Sequence, residues 1–162
     1  MVIAVKKMIS QHENVVVLQN DNNENALHAL VSINEGEIIS KFNAGITQSF
    51  ATYLTVQIGV NTHITLQPTH LQYINHSCSP NVFFDTTSMQ LIALQNINVD
   101  DELTFFYPST EWKMDQPFVC NCKSNNCLKL IQGAAFLEKA DLNNYQLTNF
   151  IQEQLQNKNQ SL

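Results

Sequence analysis

Leu71-Gln72-Tyr73-Ile74-Asn75-His76-Ser77-Cys78-Ser79-Pro80-Asn81 packs polar, chemically capable side chains densely between two apolar stretches. Amide, imidazole, hydroxyl and thiol groups occupy consecutive positions from Asn75 to Cys78. Two readings fit these residues alone. Ser-Pro-Asn is ordinary turn chemistry, and an isolated histidine more often serves structure than function. The same groups would equally make a site. Just before them, Pro68 to Tyr73 is expected to form one helical turn, with Pro68 tolerated at its start because the first helical amides lack partners.

Outward from this stretch, short β-branched runs alternate with turn residues, the pattern of a mainly β fold with short helices. Val15 to Leu18 reads as a buried strand, followed by a polar loop over Asp21 to Asn25. Ala29 to Ile33 and Ile38 to Phe42 flank the turn Asn34-Glu35-Gly36-Glu37 and suggest a hairpin or strand-turn-strand unit. Tyr53 to Ile58 and His63 to Leu66 form a second pair, and Val82 to Asp85 with Met89 to Leu94 a third. Near the end, Leu147, Ile151 and Leu155 recur every four residues beside Phe150, which predicts a short amphipathic helix with Asn149 and Gln152 as its capping pair. The polar tail from Asn157 to Leu162 is expected to fray.

A chain of 162 residues with 44% hydrophobic content suits a single domain with a real core. Its net charge is -6, from 14 acidic residues and 8 basic ones that are all lysine. Direct nucleic-acid binding is disfavoured, because phosphate recognition leans on basic patches and arginine forks. An acidic surface would suit a lysine-rich partner through electrostatic steering. Met1 to Ser10 holds no apolar run of leader length, and no stretch is long and apolar enough to span a bilayer. The expectation is a cytoplasmic or nuclear protein, including action in a host cell, with no membrane partner.

Cysteine usage carries the strongest chemical signal. Three of the four cysteines are grouped as Cys120-Asn121-Cys122 and Cys127, and the fourth is Cys78 in the opening stretch. Structural zinc takes four tetrahedral ligands, and four thiolates are a common set. Two disulfides or four unrelated buried thiols are the competing readings, and an intracellular chain disfavours the first.

Three motifs in order then resemble one family. Asn75-His76-Ser77-Cys78-Ser79-Pro80-Asn81 is similar to the Asn-His-Ser-Cys-x-Pro-Asn signature of SET-domain protein-lysine methyltransferases. Glu102-Leu103-Thr104-Phe105-Phe106-Tyr107 resembles the Glu-Leu-Thr-Phe-x-Tyr strand that follows it. Cys120-x-Cys122-x4-Cys127 resembles the post-SET zinc motif, in which the signature-loop cysteine supplies the fourth ligand. Gly36-Glu37 resembles the Gly-Glu turn near the family's start, and the likeness runs over roughly residues 13 to 135.

The resemblance implies a β-clip-type fold of small sheets with a threaded signature loop, an exception to the general avoidance of knots. It implies a SET domain over residues 1–115, a post-SET zinc segment over 116–135 and a C-terminal helical tail over 136–162. S-adenosyl-L-methionine would be the methyl donor and the ε-amine of lysine in a protein the acceptor. By the same resemblance Tyr107 is the catalytic tyrosine, and Ala26, Asn75, His76 and Tyr107 contact the cofactor. Phe105, Tyr53 and Trp112 are expected along the lysine channel, with Phe118 a further aromatic wall for the adenine or that channel. Structural zinc would sit on Cys78, Cys120, Cys122 and Cys127. Phe105 stands where a tyrosine halts the reaction early in this family, so di- or trimethylation is expected. One departure stands out: the family's Gly-x-Gly in the first loop aligns with Glu24-Asn25-Ala26. Glycine serves where backbone must approach a ligand or take unusual dihedrals. A second reading therefore stands beside the enzyme, a SET fold that binds cofactor or partner without turnover.

Overall fold

Strands β1 (Lys7–His12), β2 (Val15–Gln19) and β3 (Asn25–Ala29) form an antiparallel sheet in that order. These assignments come from a computed structural model that describes residues 4–161. Met1 to Ile3 of the segment read for a leader, and Leu162 of the polar tail, lie outside the described residues. Strand β3 begins four residues earlier than the apolar pattern predicted. The β2–β3 turn is closed by Asn20, whose Oδ1 accepts from the amides of Asn22 and Glu24, so pairing starts at Gln19 opposite Asn25. Polar Asn25 and His28 masked the strand in sequence. Beyond it, Ile33 makes only a single bridge, to Ile97.

Strand β4 (Ile38–Lys41) is followed by β5 (Asn43–Gln48), β6 (Val56–Gly59), β7 (Thr62–Gln67) and β8 (Asn75–His76). Strands β9 (Val82–Asp85), β10 (Gln90–Ala93), β11 (Thr104–Phe105), β12 (Phe118–Val119) and β13 (Leu130–Ile131) complete the set. The expected pairing of the segment around Ala29 with β4 does not occur. Strand β4 pairs with β10 instead, in a sheet ordered β4-β10-β9, because Gly36, at φ 84°, turns the chain away from β3. The predicted β6–β7 and β9–β10 hairpins are present, although Thr52 to Thr55 form a turn rather than strand. A third sheet is ordered β5-β7-β6. The helical turn expected before the signature stretch is a 3-10 turn over Thr69–Tyr73.

Alternate residues of the three sheets, among them Val15, Val17, Leu27, Ile64, Phe84 and Leu91, meet in one core with Leu71 and Leu103. A second cluster is built on Phe106, Ala134, Leu142, Phe150 and Ile151. It seats the helices α1 (Lys139–Leu142) and α2 (Asn149–Gln160). A twelve-residue helix is marginal alone, so the burial of Phe150 and Ile151, each about 1.5–3 kcal/mol, holds α2 in place. Its cap is Thr148, whose Oγ1 accepts from the Ile151 amide, rather than the Asn149–Gln152 pair read from sequence. The helix also continues through Gln160, where fraying was expected from Asn157. No helix among the described residues is long and apolar enough to cross a membrane.

Candidate functional site

The signature stretch is fixed by the strand that follows it in the motif order. Strands β8 and β11 pair in parallel, with Asn75 opposite Thr104 and His76 opposite Phe105. The Ser77 amide donates to Phe105 O at 3.1 Å. Asn81 clasps the same strand three ways: its amide donates to Thr104 O, its Oδ1 accepts from Thr104 N, and its Nδ2 donates to Glu102 O. Buried polar groups must find partners, and this loop satisfies its own against residues 102–105. Asn75 Nδ2 donates to Asn25 O and to Glu102 Oε1, each at 3.1 Å, which ties β3 to the same point.

His76 is turned toward the aromatic residues after β11. Its Nδ1 accepts from the Tyr107 amide at 3.2 Å, which leaves the proton on Nε2, 3.4 Å from Cys78 Sγ. Burial holds the ring's pKa down to about 4, so it stays neutral at physiological pH. Tyr107 starts a 3-10 turn, Tyr107–Ser109, and does not continue the strand. Its hydroxyl donates to Ile74 O at 3.4 Å. Burial, then the nearby Glu102 and Glu111 carboxylates, push that hydroxyl up to about 12.

Two clefts meet here. The larger, about 710 Å³, runs between β3, the β8 stretch and β12, and is lined by Asn25, Ala26, Asn75, His76 and Tyr107. The smaller, about 300 Å³, is lined by Leu71, Ile74, Phe105, Tyr107, Glu111 and Met114, with the 74% exposed Tyr53 also on its wall. Tyr107 and Phe118 belong to both. The larger cleft has room for a nucleoside-sized ligand, and Asn25 on its wall has a buried Oδ1 without a partner among the described residues. Neither Glu24 nor Ala26 has positive φ, and Ala26 sits in regular register opposite Leu18. The strand geometry at this point therefore does not require glycine.

Behind the loop, the sulfurs of Cys78, Cys120, Cys122 and Cys127 all lie within 4.8 Å of one another, with Cys78 and Cys120 4.0 Å apart. A zinc ion with bonds of about 2.3 Å in a tetrahedron separates its sulfurs by about 3.8 Å, so the donor set fits. All four thiols are free, which removes the two-disulfide reading. Burial, then repulsion from Cys120 and Cys122, raises the Cys78 thiol despite the amide of Leu128 donating to it. Burial also raises Cys120, to about 11. Cys122, by contrast, is held down to about 5 against burial by the Ser124 hydroxyl, and a cation among the four sulfurs would relieve the repulsion that opposes ionising the others. Phe118 and Ile131, from β12 and β13, pack against the cluster.

Asn75, His76, Ala26 and Tyr107 share the larger cleft, Phe105 and Tyr53 the smaller, and the four cysteines one centre. Trp112 lines neither cleft. The turn after Tyr107 carries it into the cluster around Phe106, where its amide donates to Gln57 Oε1. Phe118 occupies the shared wall instead. Glu111 was not singled out in sequence, since one acidic residue in Pro-Ser-Thr-Glu-Trp gives no sign of burial. It is 8% exposed and stands on the wall of the smaller cleft.

Comparison with known proteins agrees with this geometry. A SET domain family model matches residues 5–108. The methyltransferase flvH of Aspergillus flavus is 42% identical over 132 residues, 80% of this chain and 74% of that protein. The crystal structure of KRYPTONITE in complex with mCHG DNA and SAH superposes with a TM-score of 0.52 at 22% identity. That alignment covers 65% of this chain and 26% of the other, so the chain spans about a quarter of that protein and the likeness is one of fold.

Proposed function

The chain belongs to the SET domain family of methyltransferases, and from that premise we propose that it moves methyl groups from S-adenosylmethionine to the ε-amine of lysine in a protein substrate. The observation that carries this reading is the meeting of two unlike clefts at Tyr107 and Phe118. The larger cleft, with Asn20, Glu24, Asn25, Asn75 and His76 on its wall, suits a zwitterionic nucleoside; the smaller one suits an alkyl chain ending in an amine. Bound S-adenosylmethionine supplies an electrophilic methyl on a positively charged sulfur. The edge of β3 at Ala26 offers polar contacts to the cofactor, while Asn75 and neutral His76 hold the floor of its cleft.

A free lysine, of pKa near 10.4, is almost wholly protonated at neutral pH, so the site must favour its neutral form. The apolar walls from Phe105, Leu71 and Ile74 disfavour the ammonium by desolvation. Tyr107, neutral at working pH, orients the amine through its hydroxyl rather than acting as a base. Phe105 is packed edge-on against Phe84, with centroids 4.9 Å apart, and offers no hydroxyl to arrest the amine, which supports di- or trimethylation. The four cysteines would hold zinc as a structural ion. We assign residues 1–115 to the SET domain, 116–135 to the post-SET segment and 136–162 to the helical tail. A lysine-rich protein in the cytoplasm or nucleus, the cell's own or a host's, suits the acidic, arginine-free chain.

Glu24 lines the cofactor cleft where glycine is usual, and it favours a second reading as a binding module without turnover. Isothermal titration with S-adenosylmethionine, alongside labelled-donor transfer to a panel of lysine-rich proteins, decides between them. Transfer to lysine supports the enzyme; binding without transfer supports the module.

A further inference from the structure

Glu111 is a buried acid, and among the described residues no Lys or His lines its cleft. Its Oε2 accepts from the Gln57 amide at 2.9 Å and from the Thr110 hydroxyl at 2.8 Å. Its Oε1 has no hydrogen-bond partner among the described residues and is not one of the fully enclosed unpartnered atoms. The residue lines the smaller cleft together with Tyr107 and Phe105. A carboxyl is rarely buried without a counter-charge, because taking it out of water is costly. The fold nevertheless locks it in place: Gln57 receives Trp112 N on its Oε1 and donates Nε2 to Gly59 O, so β6 and residues 110–112 grip each other around it.

We propose that Glu111 is the cation-recognising group of the smaller cleft, receiving the substrate's primary ammonium on Oε1 and taking its proton before methyl transfer. This rests on the methyltransferase reading. In the step itself one N–H bond breaks and one O–H bond forms, so an ammonium and a carboxylate become a neutral amine and a carboxylic acid. The nitrogen keeps the electron pair with which it attacks. The proton then leaves to solvent, matching the one proton released per methyl group transferred to an ammonium. Burial lifts the carboxyl to about 7, against the bonds from Gln57 and Thr110, which places it where a base works near neutral pH. The other titratable groups around the cleft are Tyr53, Tyr107 and Asp115. Tyr107 is pushed to about 12 and cannot supply a base in the neutral range.

The test uses the full zinc-loaded chain with S-adenosylhomocysteine and n-butylammonium as a stand-in for the lysine tip. In calorimetric titration the wild type should bind the probe, and Glu111→Gln should weaken it about tenfold or more, since a charge-assisted bond is lost. Glutamine can still accept from Gln57 and Thr110, so zinc content and cofactor affinity should be kept. Glu111→Asp, retaining the charge, should recover part of the binding. Initial rates with S-adenosylmethionine and the amine should fall about 100-fold or more in Glu111→Gln, and the rise in kcat/KM near pH 7 should disappear. Equal probe binding by wild type and Glu111→Gln, no probe binding by the wild type, or loss on Asp115→Asn alone would overturn the proposal. Glu111-dependent probe binding without any methyl transfer would instead overturn the methyltransferase reading and leave the cation site standing.

Discussion

Replacing Tyr107 by phenylalanine removes one hydroxyl from the point where the two clefts meet. Its one hydrogen bond among the described residues is to Ile74 O at 3.4 Å, longer than a good O–H···O bond of about 2.5–3.0 Å. Little stability rests on it: we expect a change within about 0.5 kcal/mol, at the low end for a hydrogen bond. For a chain of 162 residues that moves the melting temperature by no more than about 2 °C. The ring remains, so its packing on Phe105, 4.7 Å between centroids, and on His76, 5.2 Å, is preserved. The backbone amide that sets the His76 tautomer is also unchanged. Loss of one preorganised polar group at a reacting centre typically lowers kcat by about 10²–10³-fold. Labelled-donor transfer rates, with calorimetric cofactor binding and zinc content on the same sample, provide the assay. A Tyr107→Phe protein with turnover within threefold of wild type refutes the role given to Tyr107. Lost activity accompanied by lost zinc or melting leaves the wrong explanation for the hydroxyl and refutes the claim that it is structurally idle.

Chelation of the metal, or Cys122→Ser, should lower zinc below half an equivalent and weaken S-adenosylmethionine binding in the same sample, as read by elemental analysis and titration. Phe105→Tyr should shift products toward monomethyl-lysine while sparing the first transfer, which mass spectrometry after exhaustive reaction will show; unchanged product ratios would reduce Phe105 to core filling. Gly133→Ala should cost about 1–3 kcal/mol in thermal denaturation, because its φ of 115° is strained for alanine and the new Cβ would lie 2.5 Å from Trp112 O. Gly36→Ala, at φ 84° but with open space around it, should cost less. Glu111 also carries a signature in stability: with its pKa raised from 4.5 to about 7 in the fold, its favourable contribution is full below pH 4.5 and is lost as pH rises through 7. Glu111→Gln should therefore exceed wild type in stability at pH 8 by as much as about 3 kcal/mol, and denaturant titrations should show the gap closing toward pH 5.

What the sequence disclosed depended on how local each signal was. Cysteine spacing and the Asn-His-Ser-Cys stretch announce themselves within a few residues, and the structure brings the four thiols together and pairs β8 with β11. Strands β1 and β5 went unread because neither shows a covered face: β5 is exposed along almost its whole length at a sheet edge, so no apolar alternation marks it. The displaced start of β3 follows from Asn20, whose side chain organises a turn that hydrophobicity does not register. Trp112 and Glu111 show the harder limit. Both are positioned by Gln57, more than fifty residues earlier, and only the folded pairing of β6 with residues 110–112 separates a channel wall from a core residue.

The four-cysteine cluster and the larger cleft are joined through Cys78, a single residue. Its sulfur is one of the four donors and lies 3.4 Å from His76 Nε2, while its carbonyl accepts from Asn126 Nδ2 and Tyr145 OH, each at 2.8 Å. His76 in turn accepts from the Tyr107 amide, so one ring faces the cysteine cluster on one side and Tyr107 on the other. Tyr145 stacks on Phe106 at 3.6 Å and 5°, which binds the tail to the residue immediately before Tyr107. The cysteine cluster behind the loop and the aromatic stack beside it hold this stretch from two directions, although it has little regular structure of its own.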